Sequence, residues 1–163
     1  MAKQLKLKIV TPERLVLEEM VDEVVIPTTE GEISVLPGHI PLIVGLASGD
    51  VVGISKGENI PMAVSGGFVE IKSRCLEGSE PRPEASGKSL DYVTEVAILA
   101  DFAEHVFEIS DEKIEKAKTR AEEMKVAMQN KEHVDFEHFE AELERSLTRV
   151  KIADKWRTKK YRK

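Results

Sequence analysis

The run "VTEVAILADFAEHVFEISDEKIEKAKTRAEEMKVAM", Val93 to Met128, decides the fold, because the period of its apolar residues changes partway through. Up to Asp101 it reads as a strand, a short apolar run that continues a series of such runs upstream. Beyond Asp101, Ile114, Ala117, Ala121, Met124 and Met128 step by three and four, which places them on one stripe of a helix. Ser110 suits the N-cap of that helix, with Ile109 and Ile114 at the spacing of a hydrophobic staple across the cap.

Upstream of this junction the chain carries the punctuation of a β domain. "LKLKIV" alternates Leu5, Leu7 and Ile9 with Lys6 and Lys8, the signature of a strand with one buried face. Further short apolar runs follow at "LVLEEMVDEVVIP", "PLIVGL", "DVVGIS" and "IPMAVSGGFVEIK", with "SKGEN" as a hairpin turn. Several such runs with almost no helical period predict an all-β sandwich or barrel. Between about 75 and 92 the pattern stops in a Gly, Pro and Ser-rich stretch, which reads as a long exposed loop. Downstream, "QNKEH" breaks the first helix, and Asp135 caps a second, with Val134 and Phe139 as its staple. Phe139, Leu143, Leu147, Val150 and Ala153 form the apolar stripe. The expected architecture is an all-β sandwich N-terminal domain, residues 1–104, plus a C-terminal α-helical hairpin, residues 105–163, two domains in all.

Composition narrows the function. No apolar run approaches the roughly 20 residues needed to span a bilayer, and the N-terminus reads as a strand instead of a signal peptide. One cysteine, Cys75, excludes an internal disulfide and any multi-cysteine metal site. Residues 1–104 hold 9 basic and 17 acidic residues, a balance of −8, while 105–163 hold 15 and 13, a balance of +2. From Arg145 to Lys163 there are nine basic residues against Asp154 alone, a tail that would attract a polyanion.

Catalytic chemistry is not assembled. There is neither a P-loop nor a dinucleotide-binding glycine pattern. His133 and His138 are five apart, off the spacing that aligns two ligands on one helical face, so no metal is expected. Ser65-Gly66-Gly67 lacks the frame of a nucleophile elbow and reads as a turn or bulge feeding the strand Phe68 to Lys72. In "GEISVLPGHIPL", Pro37-Gly38 suits a tight turn and Pro41 stiffens its far side. A rigid loop displaying Glu30, Glu32 and His39 beside Val35, Leu36, Ile40 and Leu42 suits a protein contact better than proton transfer, which needs a second titratable partner. The alternative for His39 is that it only caps the turn.

Three ordered blocks, Gly31 to Leu42, Gly66 to Ile71 and Ile98 to Glu104, followed by a two-helix tail, resemble the epsilon subunit of the F-type rotary ATP synthase. The resemblance covers nearly the whole chain and departs from the family in the 75–92 stretch. It implies a ten-stranded sandwich and a non-catalytic place in the central stalk of a proton-translocating enzyme, at the cytoplasmic face of the bacterial plasma membrane. It also implies binding to the gamma subunit and the c-ring, with Glu30, Gly31, Glu32, Pro37, Gly38 and His39 in the loops that face them. The hairpin is implied to swing out among the catalytic alpha and beta subunits and block ATP hydrolysis, with Arg145, Arg149, Lys151 and Lys155 meeting an acidic loop.

Some family members hold ATP as a regulatory ligand in the folded hairpin. Here Arg145 and Arg149 match the required arginine pair. Ser110, Lys113 and Ile114 replace the expected Asp, Arg and Ala, so poor nucleotide binding is expected, with no other cofactor. The rival reading is a stand-alone binding module whose basic tail takes nucleic acid or an acidic protein. Against nucleic acid, the tail offers only Trp156 and Tyr161 for stacking, and the acidic sandwich would repel phosphate.

Overall fold

In the computed structural model, residues 4–75, 92–129 and 136–160 are described. Eight strands come first: β1 (Leu5–Val10), β2 (Leu15–Val21), β3 (Glu23–Thr28), β4 (Gly31–Val35), β5 (Leu42–Gly45), β6 (Gly49–Ser55), β7 (Glu58–Cys75) and β8 (Tyr92–His105). A 3-10 turn at Val106–Glu108 leads into α1 (Asp111–Gln129) and then α2 (Phe136–Lys160).

One hydrogen-bonded ladder, β2-β1-β8-β7-β6-β3-β4, links seven strands, and β5 adds to β7. It closes into two layers because β7 changes partners along its length. Its first half, through Val64, pairs with β6, and its second half, from Phe68, pairs with β5. The change falls at Gly66 and Gly67, with φ of +65° and +108°. A Cβ on Gly67 would overlap the Leu99 carbonyl oxygen of β8, so only glycine lets the two backbones run this close. The first layer is β2-β1-β8-β7-β5 and the second is β8-β7-β6-β3-β4. Counting β7 and β8 once in each layer recovers the ten strands that the resemblance implied from eight continuous ones.

The alternation of β1 is realised as expected: Leu5, Leu7 and Ile9 are fully buried. They meet Val21, Val24, Ile26, Val35, Val51, Met62, Val64, Val69, Ile71, Val96 and Ile98 in one core between the layers. Gly53 of β6 faces this core, and a side chain there would meet Leu7 and Val21 at 3.3 and 3.4 Å.

Three local expectations change. The run 15–27 is two strands, parted at Asp22, whose carboxylate accepts from Gln4 Nε2 (3.2 Å) and the Lys56 amide (2.7 Å). Residues 31–35, expected within a loop, form β4 against β3, so Glu32 is a strand residue. Ser65-Gly66-Gly67 kinks the middle of a strand and does not begin one. The "SKGEN" turn forms as expected, with Lys56 and Gly57 both at positive φ.

The helices obey their local signals where they are described. Ser110 Oγ accepts from the Lys113 amide at 3.3 Å, and Ile109 and Ile114 are buried on either side of that cap. Ala117, Ala121 and Met124 line the buried face of α1 as expected. On α2 the stripe shifts: Ile152, Ala153 and Trp156 are buried, while Leu147 and Val150 are half-buried. The reason is that α2 touches both α1 and the second layer, so its covered surface is wider than one stripe. The loop 76–91, the break between the helices, and the Asp135 cap with Val134 lie outside the described residues.

Candidate functional site

The two outer faces of the sandwich differ. Across the first layer, strand register aligns Gly45, Phe68, Leu99, Val10 and Leu15 in a row crossing all five strands. Neighbouring strands lie about 4.8 Å apart, so the row spans roughly 19 Å. Phe68 is 63% exposed, Leu99 53% and Leu15 50%, and Ile43, two residues along β5, is 70% exposed. Further along the strands the same face turns charged, with ion pairs Lys6–Glu18 (2.6 Å) and Lys72–Glu70 (2.7 Å). The Lys6 ammonium, hydrogen-bonded to Glu18, holds that carboxyl below the usual carboxylate range. Soluble domains rarely leave an aromatic and three large aliphatic residues open on one face without a partner for them.

The six loop positions expected to bind partners fall at the two ends of β4 and do not converge. Glu30 lies in the exposed β3–β4 turn, Gly31 opens β4 and Glu32 follows it. The neighbouring Thr29 amide bonds the Gly45 carbonyl at 3.0 Å, which puts this turn beside the apolar row. Pro37, Gly38 and His39 lie at the other end. There the His39 amide closes a turn on the Leu36 carbonyl (3.1 Å), with Gly38 at φ +90°. The loop is tied down by Gly38 N to Thr94 Oγ1 (2.7 Å) and Ser73 Oγ to the His39 carbonyl (3.0 Å). The His39 ring donates from Nδ1 to the Ile40 carbonyl at 2.8 Å, so it stiffens the turn and leaves Leu36 and Ile40 displayed. Ile43, Phe68, Leu99 and Leu15 were not singled out from sequence. Alternation in "GGFVEIK" does place Phe68 opposite to Val69 and Ile71, and that was the available signal.

The outer face of the second layer is covered by the hairpin. Here the register sets Asp50, Ala63 and Glu104 in one transverse row, a carboxylate on each side of a methyl group. Ala63 is fully buried under Ile152, Ala153 and Trp156. Glu104 forms an ion pair with Lys113 of α1 and accepts from Arg149 Nε of α2 at 3.0 Å. Arg149 also lies over the Phe102 ring, 4.5 Å from its centre. Asp50 accepts from Lys155 Nζ at 2.8 Å on each oxygen and from Trp156 Nε1 at 2.9 Å. The Ser48 hydroxyl bridges Glu144 (2.7 Å) and Ser65 (3.0 Å). Within the hairpin, Arg120 pairs with Glu142 at 3.1 Å, a hydrogen bond that raises the guanidinium pKa further.

Of the four cations expected to inhibit, Arg149 and Lys155 are therefore engaged by the sandwich. Lys151 is exposed, and Arg145 lines a cavity of about 760 Å³ between β8, α1, α2 and the β1–β2 connection. Arg14, Lys116, Arg120 and Arg149 share its wall; Lys113, held by Glu104, is not part of it. Trp156 is 7% exposed, so the docked tail does not offer it for stacking. No helix among the described residues is long and apolar enough to cross a membrane.

Residues 4–77 match the family model for the ATP synthase, Delta/Epsilon chain, beta-sandwich domain. The chain is 38% identical over 152 residues to the ATP synthase epsilon chain of Nitratidesulfovibrio vulgaris, covering 93% of this chain and 97% of that one. It is 34% identical over 154 residues to the epsilon chain of Desulforamulus reducens, covering 94% and 100%. Among solved structures, a chain of the Euglena gracilis mitochondrial ATP synthase, in an assembly of OSCP, F1 and c-ring, superposes with a TM-score of 0.59 at 26% identity. That match covers 86% of this chain and 76% of the other.

Proposed function

The chain belongs to the ATP synthase epsilon-chain family, and we propose on that footing that it is a central-stalk subunit whose sandwich docks on gamma and the c-ring. The chain is a subunit of that complex and carries no catalytic role of its own. The observation that supports the docking is the asymmetry of the sandwich. One outer face is filled by the hairpin, while the other leaves Phe68, Leu99, Leu15 and Ile43 open beside the Glu30–Gly31 turn. Gamma covers that apolar row, and the loops at Glu30 to Glu32 and Pro37 to His39 complete the surface toward gamma and the ring. The subunit sits at the cytoplasmic face of the membrane through these contacts.

The hairpin is the regulatory half. Its released form inhibits ATP hydrolysis among alpha and beta through Arg145, Arg149, Lys151 and Lys155, and its docked form pairs two of those four cations, Arg149 and Lys155, with sandwich carboxylates. ATP binds poorly to the docked form. Lys113, which replaces the pattern's arginine, and Arg149, which matches one of its arginine pair, both direct their charge to Glu104, and Ser110 supplies a cap where a carboxylate would be needed.

A pull-down tests the assembly reading. The full chain, immobilised and mixed with gamma, should retain gamma in a stoichiometric complex at physiological salt. A folded chain that retains no gamma, or that instead retains nucleic acid, refutes it.

A further inference from the structure

We propose that Asp50 is the pin that holds the hairpin on the sandwich, and that it acts as an internal competitor for the cation that α2 presents when released. The proposal names a regulatory residue within the reading above, and it rests on that reading only for its effect on hydrolysis.

The argument begins with register. Asp50, the second residue of β6, pairs with Ala63, and its side chain, 11% exposed, lies on the face that α2 covers. Two consecutive residues of α2 converge on its one carboxylate. Lys155 donates to both oxygens at 2.8 Å, and the indole of Trp156 donates to Oδ2 at 2.9 Å. A carboxylate accepting several charge-assisted or buried bonds is a strong point contact. Trp156 is simultaneously packed with Ala63, Val106 and Ile109, so the same helical turn is held by polar and apolar contacts together.

Glu104 is the other acid of the row, but it reports docking less cleanly. Its partner Lys113 is only nine residues away, so that bond can persist while the hairpin leaves. Asp50 is 105 and 106 residues from Lys155 and Trp156. Its contacts exist only when α2 is on the sandwich, and all of them are lost in one step on release. While docked, the Lys155 charge is neutralised within the chain. An acidic partner surface gains Lys155 only by outcompeting Asp50.

The chain holds one tryptophan, so the rate at which an indole-selective reagent modifies Trp156 reads the released fraction directly. In the isolated full chain, Asp50→Asn should speed that modification about tenfold, the change that losing one charge-assisted contact carries. Lys155→Gln, on an exposed helical position that does not threaten folding, should do the same. The exchanged pair Asp50→Lys with Lys155→Asp keeps an ion pair but leaves Trp156 Nε1 without its acceptor, so the rate should fall only partway back from that of Asp50→Asn. Rates that stay within about twofold in both single variants overturn the proposal. In the reassembled enzyme, Asp50→Asn should deepen inhibition of ATP hydrolysis. Faster modification with unchanged hydrolysis would uphold the pin and refute the inhibitory reading instead.

Discussion

Replacing Phe68 by alanine is the most direct challenge to the docking face. A phenylalanine side chain has about 150–250 Å² to bury, and at 63% exposure Phe68 leaves roughly 100–150 Å² for a partner. At about 25 cal/mol per Å² that area is worth approximately 3 kcal/mol on full burial. Alanine keeps the Cβ, and part of the gain is spent on ordering the interface, so the expected loss is about 2 kcal/mol. That corresponds to a gamma dissociation constant weaker by about thirtyfold, read by calorimetric titration of gamma into the full chain. Because Phe68 contributes little to the core, the free energy of unfolding should change by less than about 1 kcal/mol, which separates lost docking from lost folding. Val126 provides the control, since it is 55% exposed but lies on α1, away from the row, and Val126→Ala should leave gamma binding unchanged. A Phe68→Ala chain that unfolds normally and binds gamma within about threefold of the original would show that the apolar row is not the docking surface.

Four further outcomes are expected. Gly67→Ala should destabilise the sandwich by roughly 3 kcal/mol or more, because a positive-φ penalty adds to overlap with the Leu99 carbonyl. A urea midpoint unmoved from the parent would remove the kink from the account. A chain ending at Glu104 should still unfold cooperatively, since the core between the layers contains no helix residue, though at a lower midpoint; a non-cooperative melt refutes the two-domain division. Neutralising Arg145, Arg149, Lys151 and Lys155 together should relieve inhibition of ATP hydrolysis without preventing assembly, several pairs being needed because an exposed pair is worth only about 0–1 kcal/mol. Hydrolysis at the parental rate would contradict it. Titration of the isolated chain with ATP should give a dissociation constant of about 1 mM or weaker, and micromolar affinity would restore nucleotide sensing.

The candidate site was only partly legible in the sequence. The loop residues were visible because Pro37, Gly38 and Pro41 announce a stiff turn by their own backbone restrictions, and the structure shows that turn tied to Thr94 and Ser73. The apolar row was not visible. Its members come from β1, β2, β5, β7 and β8, and each looks locally like one outward residue of an alternating strand. The same holds for Asp50: in sequence it is the acid that ends an apolar run, and nothing near it hints at Lys155.

Local geometry was the part that sequence alone determined. A period of two, then a period near 3.6, marks the change from sandwich to hairpin, and Ile109, Ser110 and Ile114 mark where α1 begins, because residues within five positions of one another meet through the backbone's own geometry. Only the tertiary structure decided what crosses between elements. That one strand serves two layers through Gly66 and Gly67 depends on how closely β8 approaches. That Asp50, Ala63 and Glu104 stand abreast depends on the register of three strands. That α2 buries Ile152 and Trp156 ahead of the stripe its period suggests depends on its lying between α1 and the sheet. Side-chain periodicity says which way a residue points from its own strand or helix, but pairing at long sequence separation selects what it points at.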